Sequence, residues 1–255
     1  MLPEIVERLR CPVCAAALAT RGPSLACAAG HSFDLARQGY VSLLAGPAPA
    51  VAETPAMVAA RSSLLSGRYA PLVAAVAERA AALARVASPG AGLGCVVDAG
   101  AGPGHYLAAL LDRRAELVGI ALDVAKPAAR AAARAHPRLN AIVADAWRSL
   151  PLRDGAADLL LNVFAPRNGA EFRRILAPHG ALLVVTPTAD HLGALVRALD
   201  LLTVDPAKDA RLSSRSRSNG CSSTSSKWGD RASASRASLA GSTVRRSSAR
   251  TRAPR

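Results

Sequence analysis

Three cysteines and a histidine near the N-terminus have the spacing of a metal site. Cys11, Cys14, Cys27 and His31 follow the pattern C-x2-C-x12-C-x3-H, which supplies two close pairs of ligands. Zinc binds four thiolate or imidazole donors at about 2.0 to 2.3 Å, and a set of three Cys and one His leaves no open position. The spacing therefore predicts one structural zinc ion, whose loss should unfold this module first. Disulfides are the alternative, although nothing marks the chain as secreted.

A glycine-rich segment at residues 96–104 has the character of a cofactor loop. Asp98 ends an apolar stretch, and Gly100, Gly102 and Gly104 then form the pattern G-x-G-x-G. Glycines let a ligand approach the backbone without a Cβ clash, and N–H groups at the start of the next helix can meet a carboxylate or phosphate. A nicotinamide-binding unit would have G-x-G-x-x-G. The spacing favours the loop of an S-adenosyl-L-methionine-dependent methyltransferase.

Three further polar residues end predicted strands of the same unit. Asp123 comes about 20 residues after the glycine loop, where a carboxylate can accept hydrogen bonds from both hydroxyls of a ribose. Asp145 follows the third strand and is a candidate acceptor for an adenine amino group, and Asn162 ends the fourth strand. Ligands of open α/β sheets bind at this carboxyl edge. For Asp145 and Asn162, a role in a turn or helix cap is the alternative.

These residues need an α/β scaffold, and the chain alternates short apolar runs with helical segments. The runs predict five strands, at residues 94–99, 119–122, 140–144, 158–164 and 181–186. Helices are expected between and after them, at residues 104–113, 126–135, 169–176 and 189–202. Two amphipathic helices within 54–87 should precede the sheet, the first capped by Thr54 and the second entered through 69–71. The pattern predicts a doubly wound, Rossmann-like parallel sheet.

The positive charge of the chain is unevenly distributed. The net charge is +14, and the ten Arg, one Lys and one Asp of residues 211–255 account for +10 of it, leaving +4 for residues 1–210. This Ser/Arg-rich tail has no helical or strand period and is expected to be disordered. A shifted reading frame would be one origin of such a disordered extension, and a basic nucleic-acid-binding tail is the alternative. No apolar run reaches the roughly 18 residues of a membrane span, which indicates a cytoplasmic protein without membrane contact.

Several motifs together resemble the RlmA-type 23S rRNA (guanine-N1)-methyltransferases, including the branch associated with tylosin and mycinamicin resistance. The similarity runs from Cys11 to about Leu202 and includes the glycine loop. Its most specific segments are CPVC at 11–14, GHSFD at 30–34, ARQGYVSLL at 36–44, GRYAPL at 67–72, LDVAK at 122–126, FAP at 164–166, TP at 186–187 and HL at 191–192.

The resemblance implies a class I methyltransferase that transfers a methyl group to N1 of a guanine in 23S ribosomal RNA. It also implies that Tyr69, His105, Tyr106 and His191 join the cofactor site, and that a homodimer places its zinc modules beside an RNA-binding cleft. Family members continue past Leu202 with an ordered antiparallel hairpin that completes the sheet, whereas this chain turns to Ser and Arg.

The expected domain organisation follows from these observations. Residues 1–45 form the zinc-binding module, and 46–68 the linker and a connecting helix. Residues 69–205 form the S-adenosyl-L-methionine-dependent methyltransferase domain without its C-terminal strands, and 211–255 form the disordered tail. The remaining alternatives for function are a catalytically impaired zinc-containing RNA-binding remnant and a methyltransferase of small molecules or proteins.

The chemistry requires that guanine N1 lose its proton, because the protonated nitrogen is a poor nucleophile. The sequence does not identify a residue that accepts this proton. The polar groups near Asn162 and the carbonyl groups at residues 165–166 are the candidates for positioning the guanine. Basic residues of the N-terminal module are candidates for contacts with RNA phosphates: Arg8, Arg10, Arg21 and Arg37.

Overall fold

The computed structural model of the chain describes residues 1–46, 53–84 and 93–187. The linker residues 47–52, the predicted helix at 189–202 with His191, and the predicted disordered tail lie outside the described residues. No helix within the three described ranges is both long and apolar enough to cross a membrane.

The N-terminal module is built from one short helix and a small antiparallel sheet. Its elements are α1 (Pro3–Val6), β1 (Leu18–Arg21), β2 (Ser24–Cys27) and β3 (Ser32–Asp34), followed by β4 (Tyr40–Ser42). The first three strands pair in the order β1-β2-β3. The tight turn between β1 and β2 uses Gly22, whose φ of 54° lies in the left-handed region.

The remaining described residues form a Rossmann-like unit. Its elements are α2 (Pro55–Ser66), α3 (Ala70–Leu83), β5 (Gly94–Ala99), α4 (His105–Arg113), β6 (Leu117–Asp123), α5 (Lys126–Ala132), β7 (Leu139–Val143), β8 (Ala157–Val163), α6 (Gly169–Ile175) and β9 (Leu176–Val185). The central sheet has the strand order β4-β7-β6-β5-β8-β9, and every pair in it is parallel. The order changes direction at β5, so the carboxyl end of β5 is the switch point where such sheets bind ligands.

The five predicted strands and the class I methyltransferase fold are confirmed, with shifted boundaries. The largest shift is at β9, which begins at Leu176 and not at residue 181, because Leu176 already pairs with Ala157 before an irregularity in the register. The predicted cap at Thr54 is also confirmed, since its Oγ1 accepts a hydrogen bond of 3.3 Å from the Met57 N–H. The sequence did not predict β4, which extends the sheet beyond β7.

Strand β5 shows how the sheet divides its neighbours between two cores. Cys95, Val97 and Ala99 belong to a core with α1, α6 and the N-terminal module. Val96 faces the opposite core, beneath α3 and α4. Since side chains alternate along a strand, Asp98 lies on the same face as Val96. The zinc module therefore covers one face of the sheet, and the cofactor-side helices cover the other.

Two arginines predicted to contact RNA join the module to the sheet unit. The Arg8 guanidinium donates hydrogen bonds to the carbonyl groups of Ala156 (2.8 Å) and Leu93 (3.0 Å). Arg10 donates to the Leu150 carbonyl at 3.3 Å. Both side chains are partly buried at a domain junction, while Arg21 and Arg37 are exposed. Arg8 and Arg10 therefore have a structural role, and their contact with RNA stays a prediction.

Candidate functional site

The four predicted zinc ligands come together at one end of the small sheet. Cys14 Sγ lies 3.7 Å from Cys27 Sγ, and His31 Nδ1 lies 3.6 Å from Cys11 Sγ and 3.3 Å from Cys27 Sγ. All four donor atoms lie within 4.8 Å of one another. Ligands at about 2.3 Å from a tetrahedral zinc ion are separated by about 3.7 Å, so the donor set fits zinc. His31 would bind through Nδ1, the nitrogen that faces the sulfur atoms.

The glycine loop leaves the carboxyl end of β5 and is held by the end of β6. The N–H groups of Gly100 and Ala101 both donate to the Leu122 carbonyl, at 2.9 and 3.0 Å. The Gly102 N–H donates to Asp123 Oδ2 at 2.8 Å, and the Ala125 N–H donates to Oδ1 of the same carboxylate at 2.9 Å. Asp123 therefore orders the loop. A carboxylate has about four lone-pair sites, so it also keeps acceptor capacity for a ligand.

The glycines of the loop serve different purposes. Gly100 has a φ of 83°, and a Cβ atom there would lie 2.4 Å from the Cβ of Ala165 in the segment after β8. Gly104 has a φ of 81° and lies against Ala132 of α5. Gly102 has a φ of 55°, and a Cβ atom there would lie 3.6 Å from Nη1 of Arg61, a residue of α2. Two of the three glycines therefore accommodate neighbouring chain segments, a reason for glycine that the sequence motif does not reveal.

Asp98 is a buried acid without a partner. It is 1% exposed, and neither carboxylate oxygen has a hydrogen-bond partner among the residues that the structure describes. Burial, and secondarily the charge of Asp123, raises the pKa of Asp98 to about 7. A buried polar group of this kind is costly without a partner. The carboxylate thus suits a cationic ligand group at the end of β5.

The aromatic residues of the site lie beside this acid. Tyr106 is buried in the first turn of α4, and its pKa is raised by burial and then by the nearby charges of Asp98 and Tyr69, while Arg61 acts in the opposite direction. Tyr69 is the N-cap residue of α3. Tyr69 and Asp98 therefore both lie near Tyr106 at the loop, and a shared role of the three residues in cofactor binding stays a prediction.

His105 lines a cavity that the other predicted cofactor residues of the described ranges do not line. This cavity of about 490 Å³ lies between α2, α3, α4 and α5, and Leu65, Val73 and Ala109 also line it. Burial lowers the pKa of His105, and its Nδ1 has no hydrogen-bond partner in the part of the chain that the structure describes. A contact between His105 and the cofactor stays a prediction.

Asp145 and Asn162 both have local structural partners at the carboxyl edge. Asp145 Oδ1 accepts a hydrogen bond of 2.9 Å from the Trp147 N–H, which closes a turn, and Oδ2 lies 3.5 Å from Arg148. Asn162 is fully buried, and its Nδ2 donates to the carbonyl groups of Ala99 (3.0 Å) and Pro166 (2.9 Å). Asn162 therefore ties the end of β5 to the segment after β8. Its Oδ1 has no hydrogen-bond partner within residues 1–46, 53–84 and 93–187.

Sequence reasoning missed Arg61, and it considered only the carbonyl group of Ala165 and not the contact of its side chain with Gly100. Arg61 belongs to a helix that precedes the sheet in the chain, so the order of motifs gave no sign that it lies over Gly102. Ala165 follows a strand and is apolar and small, which gives it no chemical signal. For Ala165, the glycine at position 100 was the available clue, because a left-handed glycine often marks close chain approach.

Comparison with known proteins places both parts of the chain. The zinc-ribbon family described as RlmA, N-terminal matches residues 9–48, and a methyltransferase domain family matches residues 96–180. The 23S rRNA (guanine(748)-N(1))-methyltransferase of Streptomyces fradiae is 55% identical over 213 residues, which cover 83% of this chain and 75% of that protein. The chain belongs to the 23S rRNA (guanine-N1)-methyltransferase family.

A second family member has a similar relationship to the chain. A Micromonospora griseorubida protein, provisionally named a 23S rRNA (guanine-N(1)-)-methyltransferase, is 57% identical over 225 residues, covering 83% of this chain and 76% of that protein. Among solved structures, phosphoethanolamine N-methyltransferase 2 of Haemonchus contortus with S-adenosyl-L-methionine aligns at 12% identity and a TM-score of 0.43, over 64% of this chain and 41% of that one. This likeness is too distant to bear on the substrate.

Both predicted cofactors are confirmed. The methyltransferase domain uses S-adenosyl-L-methionine, and the zinc ribbon with its cluster of three cysteines and one histidine holds a structural zinc ion. The carboxylate of Asp98, which has no partner within the described ranges, fits a cofactor that carries an ammonium group, and the contact of Asp123 with a ribose stays a prediction. Both acids belong to strands that end at the same sheet edge, and Asp98 pairs with Ala121, two residues before Asp123.

Proposed function

We infer that this protein transfers the methyl group of S-adenosyl-L-methionine to N1 of a guanine in 23S ribosomal RNA. One observation carries this conclusion: the zinc cluster and the Asp98–Gly102–Asp123 site occur in a chain that is 55% identical to a 23S rRNA (guanine(748)-N(1))-methyltransferase. The same methyltransferase fold serves many substrates, so the RNA assignment depends on this relationship and not on the sheet.

For the cofactor site, we propose a division of labour at the carboxyl edge of the sheet. Asp123 accepts hydrogen bonds from the ribose hydroxyls while it continues to hold Gly102 and Ala125. Asp98 receives the ammonium group, and Tyr69 and Tyr106 enclose it. Asp145, which stands at the end of β7, remains the candidate for the adenine amino group. His105 and His191 complete the set that the family resemblance implies.

In the transfer step, the bond from sulfur to the methyl carbon breaks as the bond from that carbon to guanine N1 forms. The electron pair returns to sulfur, and the N1 proton leaves to a solvent or protein acceptor. The cofactor supplies the reactive sulfonium. The protein contributes the positioning of the guanine. Asn162 holds the segment that contains Phe164 through its hydrogen bond to the Pro166 carbonyl. Phe164 is 46% exposed, and its backbone has a φ of 51°. N1 of the target guanine is accessible for methylation only when the base is unpaired or extruded, because N1 lies on the Watson–Crick edge.

Methylation of purified RNA tests the function. We expect incubation of the protein with unmodified 23S rRNA and the cofactor to yield about one 1-methylguanosine per RNA, detected by mass spectrometry of digested nucleosides. The position should also stop reverse transcription, because the new methyl group blocks base pairing. Transfer to small molecules or proteins instead of RNA, or cofactor binding without any transfer, would support the rival interpretations.

The titration of Asp98 gives a second expected result, a pH dependence of cofactor affinity. A pKa raised to about 7 means that the acid binds a proton in the empty site at pH 6 and loses it near pH 8. A cationic ligand favours the charged carboxylate. Affinity for S-adenosyl-L-methionine should therefore increase from pH 6 to pH 8, and binding near pH 6 should release a proton, measurable by calorimetry in buffers of different ionisation enthalpy.

Asp98→Asn removes the titrating group and should abolish this slope, while the exposed Glu78→Gln should preserve it. The free energy of unfolding of the protein without ligand should decrease as the pH rises. Because burial raises the pKa of Asp98 to about 7 in the folded protein, protonated Asp98 favours the folded state. This contribution to stability is complete below about pH 4 and is lost as the pH rises through about 7. If Asp98→Asn kept the wild-type dependence of affinity on pH, Asp98 would not be the residue that binds the ammonium group.

We also propose that the enzyme works as a homodimer in the cytoplasm. The support for the dimer is the family resemblance, and the support for the compartment is a ribosomal RNA substrate. Sedimentation of the purified protein at micromolar concentration measures the first, and a mass of one chain at that concentration argues against it.

A further inference from the structure

Arg61 brings a positive charge to the outer side of the glycine loop. A Cβ atom on Gly102 would lie 3.6 Å from Arg61 Nη1 and 3.8 Å from its Cδ, so the arginine side chain covers the loop where the glycine has no side chain. Arg61 also lies near enough to Tyr106 to affect its ionisation. The guanidinium therefore stands at the same end of the site as the Asp98 and Tyr106 pair.

Helix α2 holds Arg61 in this position. Val58 precedes Arg61 by one helical turn, is 4% exposed and packs against Ala125 and Ala128 at the start of α5. Residues three apart lie on the same helix face. The helix itself starts at a capped residue, Thr54. The anchoring of α2 directs Arg61 toward the loop that follows β5.

The guanidinium binds a carboxylate of the same chain. Arg61 Nη1 donates to Glu53 Oε2 at 2.9 Å, and Nη2 contacts Glu53 Oε1. Two parallel N–H to oxygen contacts form the bidentate geometry in which arginine recognises planar carboxylates. Glu53 immediately precedes the helix cap and is part of the same segment. The half-exposed Arg61 is therefore arranged for a carboxylate and remains accessible from solvent.

We propose that Arg61 recognises the carboxylate of the methionine part of S-adenosyl-L-methionine, and that Glu53 is an internal substitute which the cofactor displaces. This end of the cofactor is a zwitterion. Its ammonium group requires an acid, supplied by Asp98, and its carboxylate requires a cation, supplied by Arg61 beside Gly102 and near Tyr106. The proposal rests on the cofactor assignment and does not depend on the RNA substrate.

The pair of ligands S-adenosyl-L-methionine and its decarboxylated form tests this role, because they differ only in the carboxylate. For Arg61→Gln we expect calorimetry to show about 10- to 100-fold weaker binding of S-adenosyl-L-methionine and little change for the decarboxylated ligand. Glu53→Gln removes the competing carboxylate, and should leave the decarboxylated ligand unaffected while binding S-adenosyl-L-methionine as tightly as the wild type or more tightly. Arg79→Gln, an exposed arginine of α3, is the charge control and should change neither affinity.

Equal loss of both ligands in Arg61→Gln would overturn the proposal, as would parallel weakening of both in Glu53→Gln, which would make the ion pair a structural brace. If Arg61→Gln melts at a lower temperature than the wild type, Arg61→Lys is the second variant. Lysine keeps the positive charge without the planar guanidinium, so this variant should still discriminate between the two ligands, by a smaller factor. Failure of the wild type to bind S-adenosyl-L-methionine would instead contradict the proposed function.

Discussion

Loss of the zinc ion is expected to destabilise the whole described fold and not only the N-terminal module. Leu9 and Leu25 of the module share one hydrophobic core with Val97 and Ile120 of the central strands. Strand β4 follows the zinc ligands and pairs directly with β7. The sequence predicted that the module would unfold first, and the shared core gives the reason to expect a single transition, because exposing the module also exposes one face of the sheet.

The measurement is denaturant unfolding of Cys27→Ser, together with hydrogen exchange of the β5 segment. We expect a loss of about 4 kcal/mol or more in the free energy of unfolding and faster exchange in β5, since loss of a structural metal is among the largest single effects. Cys95→Ala is the control, because Cys95 is buried in β5 away from the cluster and this variant should retain one zinc per chain. Unchanged exchange in β5 after zinc loss would show that the two units are independent.

Substitution of Gly100 by alanine is expected to damage both stability and cofactor binding. The new Cβ would lie 2.4 Å from the Cβ of Ala165, and the φ of 83° is unfavourable for any residue with a side chain. The conformational cost is about 1–2 kcal/mol and the overlap adds about 1–3 kcal/mol. Relief of the overlap would move the segment after β8 or the cofactor loop, so affinity for S-adenosyl-L-methionine should fall as well.

Two variants separate the overlap from the backbone strain. Gly39→Ala has nearly the same φ, 89°, but its Cβ would meet Ala133 at an ordinary 3.7 Å, so it should show the conformational cost alone. Adding Ala165→Gly to Gly100→Ala removes the clashing atom and should recover part of both the unfolding free energy and the affinity. Equal costs for Gly39→Ala and Gly100→Ala, with no recovery in the double variant, would contradict the assigned contact.

The parts of the site that could be predicted are those in which local spacing carries the chemistry. The zinc ligands lie within 21 consecutive residues, so their spacing alone limits the geometry. Asp98 and Asp123 each end a buried strand, and in a parallel sheet such ends meet at one edge. Strands β5 to β8 were predictable for a similar reason, because continuous apolar runs separated by helical segments are typical of a sheet covered on both faces.

Long-range contacts made the other features unpredictable. Strand β4 has three residues, too few for a recognisable alternation, and is ordered by pairing with residues about 100 positions later in the chain. The sequence marked Arg8 and Arg10 only as cations, and it gave no sign that both donate hydrogen bonds to carbonyl groups at a domain junction. Whether a charged group meets solvent, a ligand or a buried carbonyl depends on the packing of distant segments.

The sequence by itself determined the zinc ligands, the glycine loop, the acids at the ends of β5 and β6 and the methyltransferase class, since each follows from residue types at short separations. Only the tertiary structure decided that Asp98 is buried without a partner among the described residues, that Gly100 makes room for Ala165, and that Arg61 lies beside Gly102. The physical reason is that these properties depend on burial and on contacts between segments far apart in the chain, which no local pattern of residues encodes.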